Sequence, residues 1–150
     1  MKNLIFAICM LGAPTVTAQE IEREAFVCFG RNNQGPLVET LTAVQSGPNA
    51  IEFISEGEAP DTWGLMFFGY DSVLPPAQAA LTPSPVCITG PLVRSAPYQS
   101  NFVGVASITV TDMFPAGTTF FAQRAHRSVA TPVTPNGVGS GMALKIKVAN

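Results

Sequence analysis

Past residue 18, no window of a dozen residues keeps apolar side chains at helical spacing without a glycine or proline intruding. The 13 glycines and 13 prolines instead cut the chain into short runs rich in β-branched and aromatic residues, which is the pattern of strands separated by turns. Residues 24–29, 38–44, 51–55 and 62–70 are four such runs, the third entered through a Gly47-Pro48-Asn49 turn. The fourth (Thr-Trp-Gly-Leu-Met-Phe-Phe-Gly-Tyr) is the most hydrophobic and reads as a central strand buried on both faces. Residues 72–97 carry Pro75, Pro76, Pro83, Pro85, Pro91 and Pro97. Proline cannot donate to a ladder, so this stretch is expected along an edge or as loops, with brief strands at 86–88 and 92–94. Residues 103–111 alternate strongly, and 118–124 and 143–148 complete the set. In the last, Leu144, Ile146 and Val148 alternate with Lys145 and Lys147, the mark of a strand with one wet face. Residues 131–141 read as a flexible loop. About eight strands at this spacing predict an all-β fold, an antiparallel sandwich of immunoglobulin-like or jelly-roll-like type.

The first 18 residues read as a secretory signal peptide. Met1-Lys2-Asn3 is a short positive start, residues 4–11 are an unbroken apolar run, and Val16-Thr17-Ala18 places small or β-branched residues before Gln19. That run is far shorter than the roughly 20 residues a spanning helix needs. The expectation is a secreted, extracellular or cell-surface protein with no membrane span, folded as a single domain over residues 19–150. Residues 19–36 are expected to form an N-terminal arm or edge strand. Cleavage removes Lys2 and no acid, which leaves 7 basic and 10 acidic side chains, a net charge of −3. The basic residues form no stripe that would follow a phosphate backbone, so nucleic acid is not an expected partner. The acidic residues, Glu39, Glu52, Glu56 and Glu58 among them, are dispersed and read as a solvated face.

Of three cysteines, Cys28 and Cys87 remain after cleavage. In an oxidising compartment two thiols in a small domain are expected to pair, and a free buried pair is the other reading. With a single histidine, His126, they supply too few soft ligands for a metal site at any familiar spacing. Calcium could use Asp61, Asp71 and Asp112, but no Asp-x-Asp repeat concentrates their charge, so no metal and no cofactor is expected.

The second half of the chain has a familiar order. An Ala59-Pro60 turn precedes an apolar strand ending in Phe68-Gly69, then Cys87-Ile88-Thr89-Gly90-Pro91-Leu92-Val93-Arg94 and a glycine-bearing alternating strand. Ala116-Gly117-Thr118-Thr119-Phe120-Phe121-Ala122-Gln123 follows, with Arg127 just beyond and Asn136-Gly137 before the closing strand. Across residues 40–149 this resembles the small β-sandwich module that recurs in large secreted proteins of planctomycete-type and related bacteria. The resemblance implies an extracellular β domain, commonly joined to other modules, with no catalytic residues to carry over.

The residues themselves supply no catalytic constellation. His126 would need a nucleophile and a carboxylate beside it, yet there is no Gly-x-Ser-x-Gly elbow, and Gly139-Ser140-Gly141 falls in the expected loop. It reads as a surface histidine at a strand end, its proton affinity lowered by Arg124 and Arg127. The Glu56-Gly57-Glu58 carboxylates sit on a turn rather than across a cleft. Trp63 and Tyr98, both near turns, are the aromatic residues placed to form a ligand platform, whereas Phe67 and Phe68 point to opposite faces of one strand. The expected function is therefore non-catalytic. The chain reads as a structural or adhesive module that contacts other extracellular proteins or copies of itself, with a small carbohydrate-binding module as the alternative.

Overall fold

The computed structural model describes residues 21–29, 39–47, 49–70, 72–73, 86–128 and 137–150. The expected signal peptide, Asp71, residues 74–85 of the proline-rich stretch and residues 129–136 lie outside them. Eleven extended segments follow in order: β1 (Ile21–Phe29), β2 (Thr40–Gly47), β3 (Ala50–Glu56), β4 (Trp63–Gly69), β5 (Ser72–Val73) and β6 (Ile88–Thr89). They continue with β7 (Leu92–Arg94), β8 (Tyr98–Gln99), β9 (Ala106–Thr111), β10 (Thr119–Arg127) and β11 (Val138–Val148). No helix occurs among the described residues, so none is long and apolar enough to cross a membrane.

All pairings are antiparallel. The larger sheet runs β1-β11-β10-β4-β7, with β8 also on β4; the smaller runs β2-β3-β9; β5 and β6 form a two-residue pair. The two main sheets pack face to face as a sandwich. The alternation anticipated in the sequence supplies the inner faces: Leu41 and Ala43 from β2, Ile51 and Phe53 from β3, Met66 and Phe68 from β4, Phe120 and Ala122 from β10, and Leu144, Ile146 and Val148 from β11. Four phenylalanines knit the layers together. Phe53 lies 5.3 Å from Phe68 and 6.3 Å from Phe120, while Phe114, from the connection after β9, stacks on Phe120 at 3.6 Å. Rings in such contact add to what their burial alone contributes.

Two expectations need correcting. The strand buried on both faces is β10, not β4, whose outer face is open at Trp63 and half-open at Leu65 and Phe67. β10 sits between β11 and β4, under the smaller sheet on one side and under Val86, Cys87 and Ile88 on the other. Residues 138–141, expected in a loop, are the start of β11, and Ser140 is fully buried there. Between the pairs Gln123–Ala143 and Ala125–Ser140 the β11 side carries one extra residue. That bulge at Gly141-Met142 lets β11 continue beside β10 without turning the inner face of β10 outward. The N-terminal arm is β1, an edge strand laid along β11 of the same chain.

Turns are fixed by residues that tolerate positive φ. Asn49 (φ 56°) closes the β2–β3 hairpin, and Gly104 (φ 77°) ends the tight turn before β9. Gly104 also backs onto the chain before β4: a Cβ there would lie 2.1 Å from the carbonyl oxygen of Glu58. Replacing Gly104 with alanine is expected to cost about 3 kcal/mol, from left-handed strain and the backbone clash together. Phe102→Ala in the same turn, 79% exposed, should stay within roughly 0.5 kcal/mol of wild type by urea denaturation.

Candidate functional site

Two features stand apart from the core. The first is a trough on the outer face of the larger sheet, along β4 and the end of β10 beyond residues 86–88. Odd-numbered positions of β4 point outward, so Trp63, Leu65 and Phe67 form its floor, with Ala125 of β10 beside them and Pro97, Arg127 and Val138 at its rim. The trough encloses about 410 Å³ and its walls are almost wholly apolar. Trp63 is 50% exposed at one end of it. Gly64, the next residue, permits close approach of the strands: a Cβ there would meet the Ala125 carbonyl oxygen at 2.6 Å.

Tyr98 does not share this surface. It pairs with Gly64 across β8 and β4, whereas Trp63 pairs with Gln99, so the two aromatic residues face opposite sides. The Tyr98 ring packs towards the core, with the Arg124 guanidinium 4.3 Å from its centroid. Burial, partly offset by Arg124, pushes its hydroxyl up to about 12. The platform proposed from sequence is thus reduced to Trp63 and the apolar floor beside it.

The second feature is a cluster of four ionisable side chains inside one end of the sandwich. On β10 the inward positions after Phe120 and Ala122 are Arg124 and His126, and both are buried. Glu58, from the connection between β3 and β4, pairs with the Arg124 Nε and accepts a hydrogen bond of 2.7 Å from the Ser55 hydroxyl. The Arg124 Nη2 donates to the Thr62 carbonyl at 3.2 Å. Glu39, immediately before β2, brings its Oε1 to 3.2 Å from His126 Nε2. Both acids were expected on a solvated face, yet they are 2% and 6% exposed. His126, expected at the surface, has a fully buried side chain.

Removal from water decides the protonation states. Burial, reinforced by the nearby Glu58 charge and opposed by Arg124, raises the Glu39 carboxyl to about 8. Burial and Arg124 together lower His126 to about 4, and burial pushes Glu58 upward against the pull of Arg124. At neutral pH the Glu39–His126 contact therefore holds one proton, on the carboxyl, beside the Glu58–Arg124 ion pair. The side chains of all four are at most 1% exposed.

Cys87 covers another part of the outer face, over Phe121 and Ala143. Its backbone N–H donates to the Gln123 Oε1 at 2.8 Å, and the Gln123 amide donates onward to the Gly141 carbonyl. Cys87 packs with Ile88, Phe121 and Ala143, and Ala143 is the register partner of Cys28 in β1. Among the described residues no three His, Cys, Asp or Glu side chains gather as a metal site. Asp61 and Asp112 occupy separate turns at positive φ. No protein-family model, curated protein or solved structure matches the chain.

Arg124, Glu58 and Glu39 were not selected from sequence. One signal did point to the first: Arg124 and His126 share the parity of Phe120 and Ala122, so strict alternation turns both inward. Nothing local marks the two glutamates, which arrive from connections. Arg124→Met should destabilise the fold by roughly 3–5 kcal/mol, because it strands a buried carboxylate. Glu58→Gln combined with Arg124→Met should recover a large part of that loss, as a urea double-mutant cycle would register.

Proposed function

We propose that this protein is a non-catalytic extracellular module, structural or adhesive in role, that works through protein–protein contacts made by the trough beside Trp63. The half-exposed indole above an apolar floor carries the reading, since a contiguous apolar surface of this kind is costly to leave in water. The inaccessibility of His126 supports contact over catalysis. So does the order of short motifs in residues 40–149 that resembles secreted β-sandwich modules. The occupant we favour is a second copy of the chain. Only 12% of residues are charged and the net charge without residues 1–18 is −3, so two copies repel only weakly.

Trp63 is the sole tryptophan, so its emission reports on the trough alone. Light scattering over a rising concentration series is expected to detect a defined oligomer, with Trp63 emission moving to shorter wavelength as it forms. Trp63→Asp should remain monomeric and folded. A wild-type monomer at high concentration with unchanged emission would overturn self-association. A response of the same emission to soluble oligosaccharides would instead favour the carbohydrate-binding alternative, in which the indole face stacks on a sugar ring.

The same proposal includes a Cys28–Cys87 disulfide. In support, Cys28 of β1 is the register partner of Ala143, which packs with Cys87. Denatured mature protein should present no free thiol before reduction and two after it. Reduction should lower stability by about 4 kcal/mol on the loop-entropy account. Two reactive thiols in unreduced protein would refute the bridge.

A further inference from the structure

We propose that Glu39, His126, Glu58 and Arg124 form a proton-linked latch, which ties the start of β2 to the larger sheet and loosens as pH rises above neutrality. The latch joins three separate parts of the chain. Glu39 is the last residue before β2 of the smaller sheet, His126 and Arg124 are on the central strand of the larger sheet, and Glu58 is in the β3–β4 connection. Glu39 is held twice: its carboxyl meets His126 Nε2 at 3.2 Å, and its carbonyl accepts from the Met142 amide at 3.3 Å. The β11 bulge makes room for it. A Cβ at Gly141 would come within 2.8 Å of both Glu39 Cβ and Oε2.

The charged and titratable surroundings are few among the described residues. β10 contributes Arg124 and His126, the β3–β4 connection Glu58, β8 Tyr98, and the Gly139-Ser140-Gly141 stretch of β11 no charge. With its proton, Glu39 leaves the cluster neutral, one anion and one cation plus two uncharged groups. Without it, a second carboxylate is buried near Glu58 against a single guanidinium. In a folded protein Glu39 holds its proton to about pH 8, against 4.5 for a free carboxyl. Folding therefore takes up a proton between those values, and the stability it confers at low pH drains away as pH climbs to 8. His126, lowered from 6.5 to about 4, acts in the opposite sense, its contribution being lost as pH falls from 6.5 towards 4. The two nearly cancel between pH 4.5 and 6.5, and the Glu39 loss stands uncompensated from 6.5 to 8. Glu58, also raised by burial, acts in the same sense as Glu39.

Urea denaturation of the full mature chain across pH 5.5–9 tests this. The folding constant of wild type is expected to fall about tenfold per pH unit between 6.5 and 8 and to level off above 8. Glu39→Gln, which cannot ionise, should lose about tenfold per unit of that slope. Wild-type stability that is flat or rising from pH 6.5 to 8, or an unchanged slope in Glu39→Gln, would overturn the latch. Should the variant not fold, the wild type alone decides by carbon-detected NMR of the Glu39 carboxyl. Titration near 8 supports the latch, and titration near 4.5 refutes it.

Discussion

Because β10 is buried on both faces from Phe120 to His126, the polar side chains it carries there are withdrawn from water. The inner face begins with Phe120 and Ala122 and ends with Arg124 and His126, so one strand supplies the aromatic core at one end and the charges at the other. The outer face presents Gln123, whose amide is used at both ends, accepting from Cys87 and donating to Gly141. Much of what surrounds β10 can be understood as an answer to these three polar residues.

The answers come from backbone as much as from side chains. Gly64 stands where a Cβ would lie 2.8 Å from the Arg124 guanidinium carbon, so the neighbouring strand is hollowed at the point where that bulky group sits. Gly141 does the same for Glu39 on the other side, and the extra residue beside it keeps β11 in register with the core beyond the hollow. Glu58 and Glu39 are delivered by chain leaving and entering the smaller sheet, which ties the two layers by charge where the phenylalanine cluster no longer reaches. The same crowding leaves the outer face of β4 uncovered, since residues 86–88 are anchored over Phe121 and Gln123 instead. The apolar trough at Trp63 is what remains.

The sandwich was legible because strand alternation and turn chemistry are local properties. Thr40 to Ala43, Ile51 to Ser55 and Leu144 to Val148 each alternate inward and outward as the sequence reads. Hydrophobicity alone points to the wrong strand as the doubly buried one. Residues 62–70 are more apolar than 119–127, but burial of the latter depends on Cys87 and the smaller sheet, which arrive from far along the chain. A run containing Gln123, Arg124 and His126 scores as half-wet unless its partners are known. Glu39 and Glu58 look solvated in the sequence for the same reason: their burial is decided by partners distant in the chain, His126 for the first and Arg124, 66 residues away, for the second. The 138–141 stretch was lost to its glycines, which serve a bulge and a close approach within a strand rather than a loop.

A buried ion pair is seldom the most stable filling for its space, and well-packed apolar residues of similar volume commonly do as well or better. Its retention here is therefore better explained by what it forbids. A β strand slipped by one residue exchanges its faces. For β10 that would turn Gln123 and Ala125 towards the smaller sheet and place Arg124 and His126 against the apolar trough and Cys87. Phe120 and Phe121 are both large and apolar, as are Ala122 and Ala125 small and apolar, so hydrophobic packing alone separates the two registers weakly. The charges separate them further, because the observed register brings Arg124 to Glu58 and His126 to Glu39, and a one-residue slip would part both pairs. The cluster thus favours the observed register of the central strand, the one in which β4 turns Met66 and Phe68 into the core and leaves Trp63 exposed.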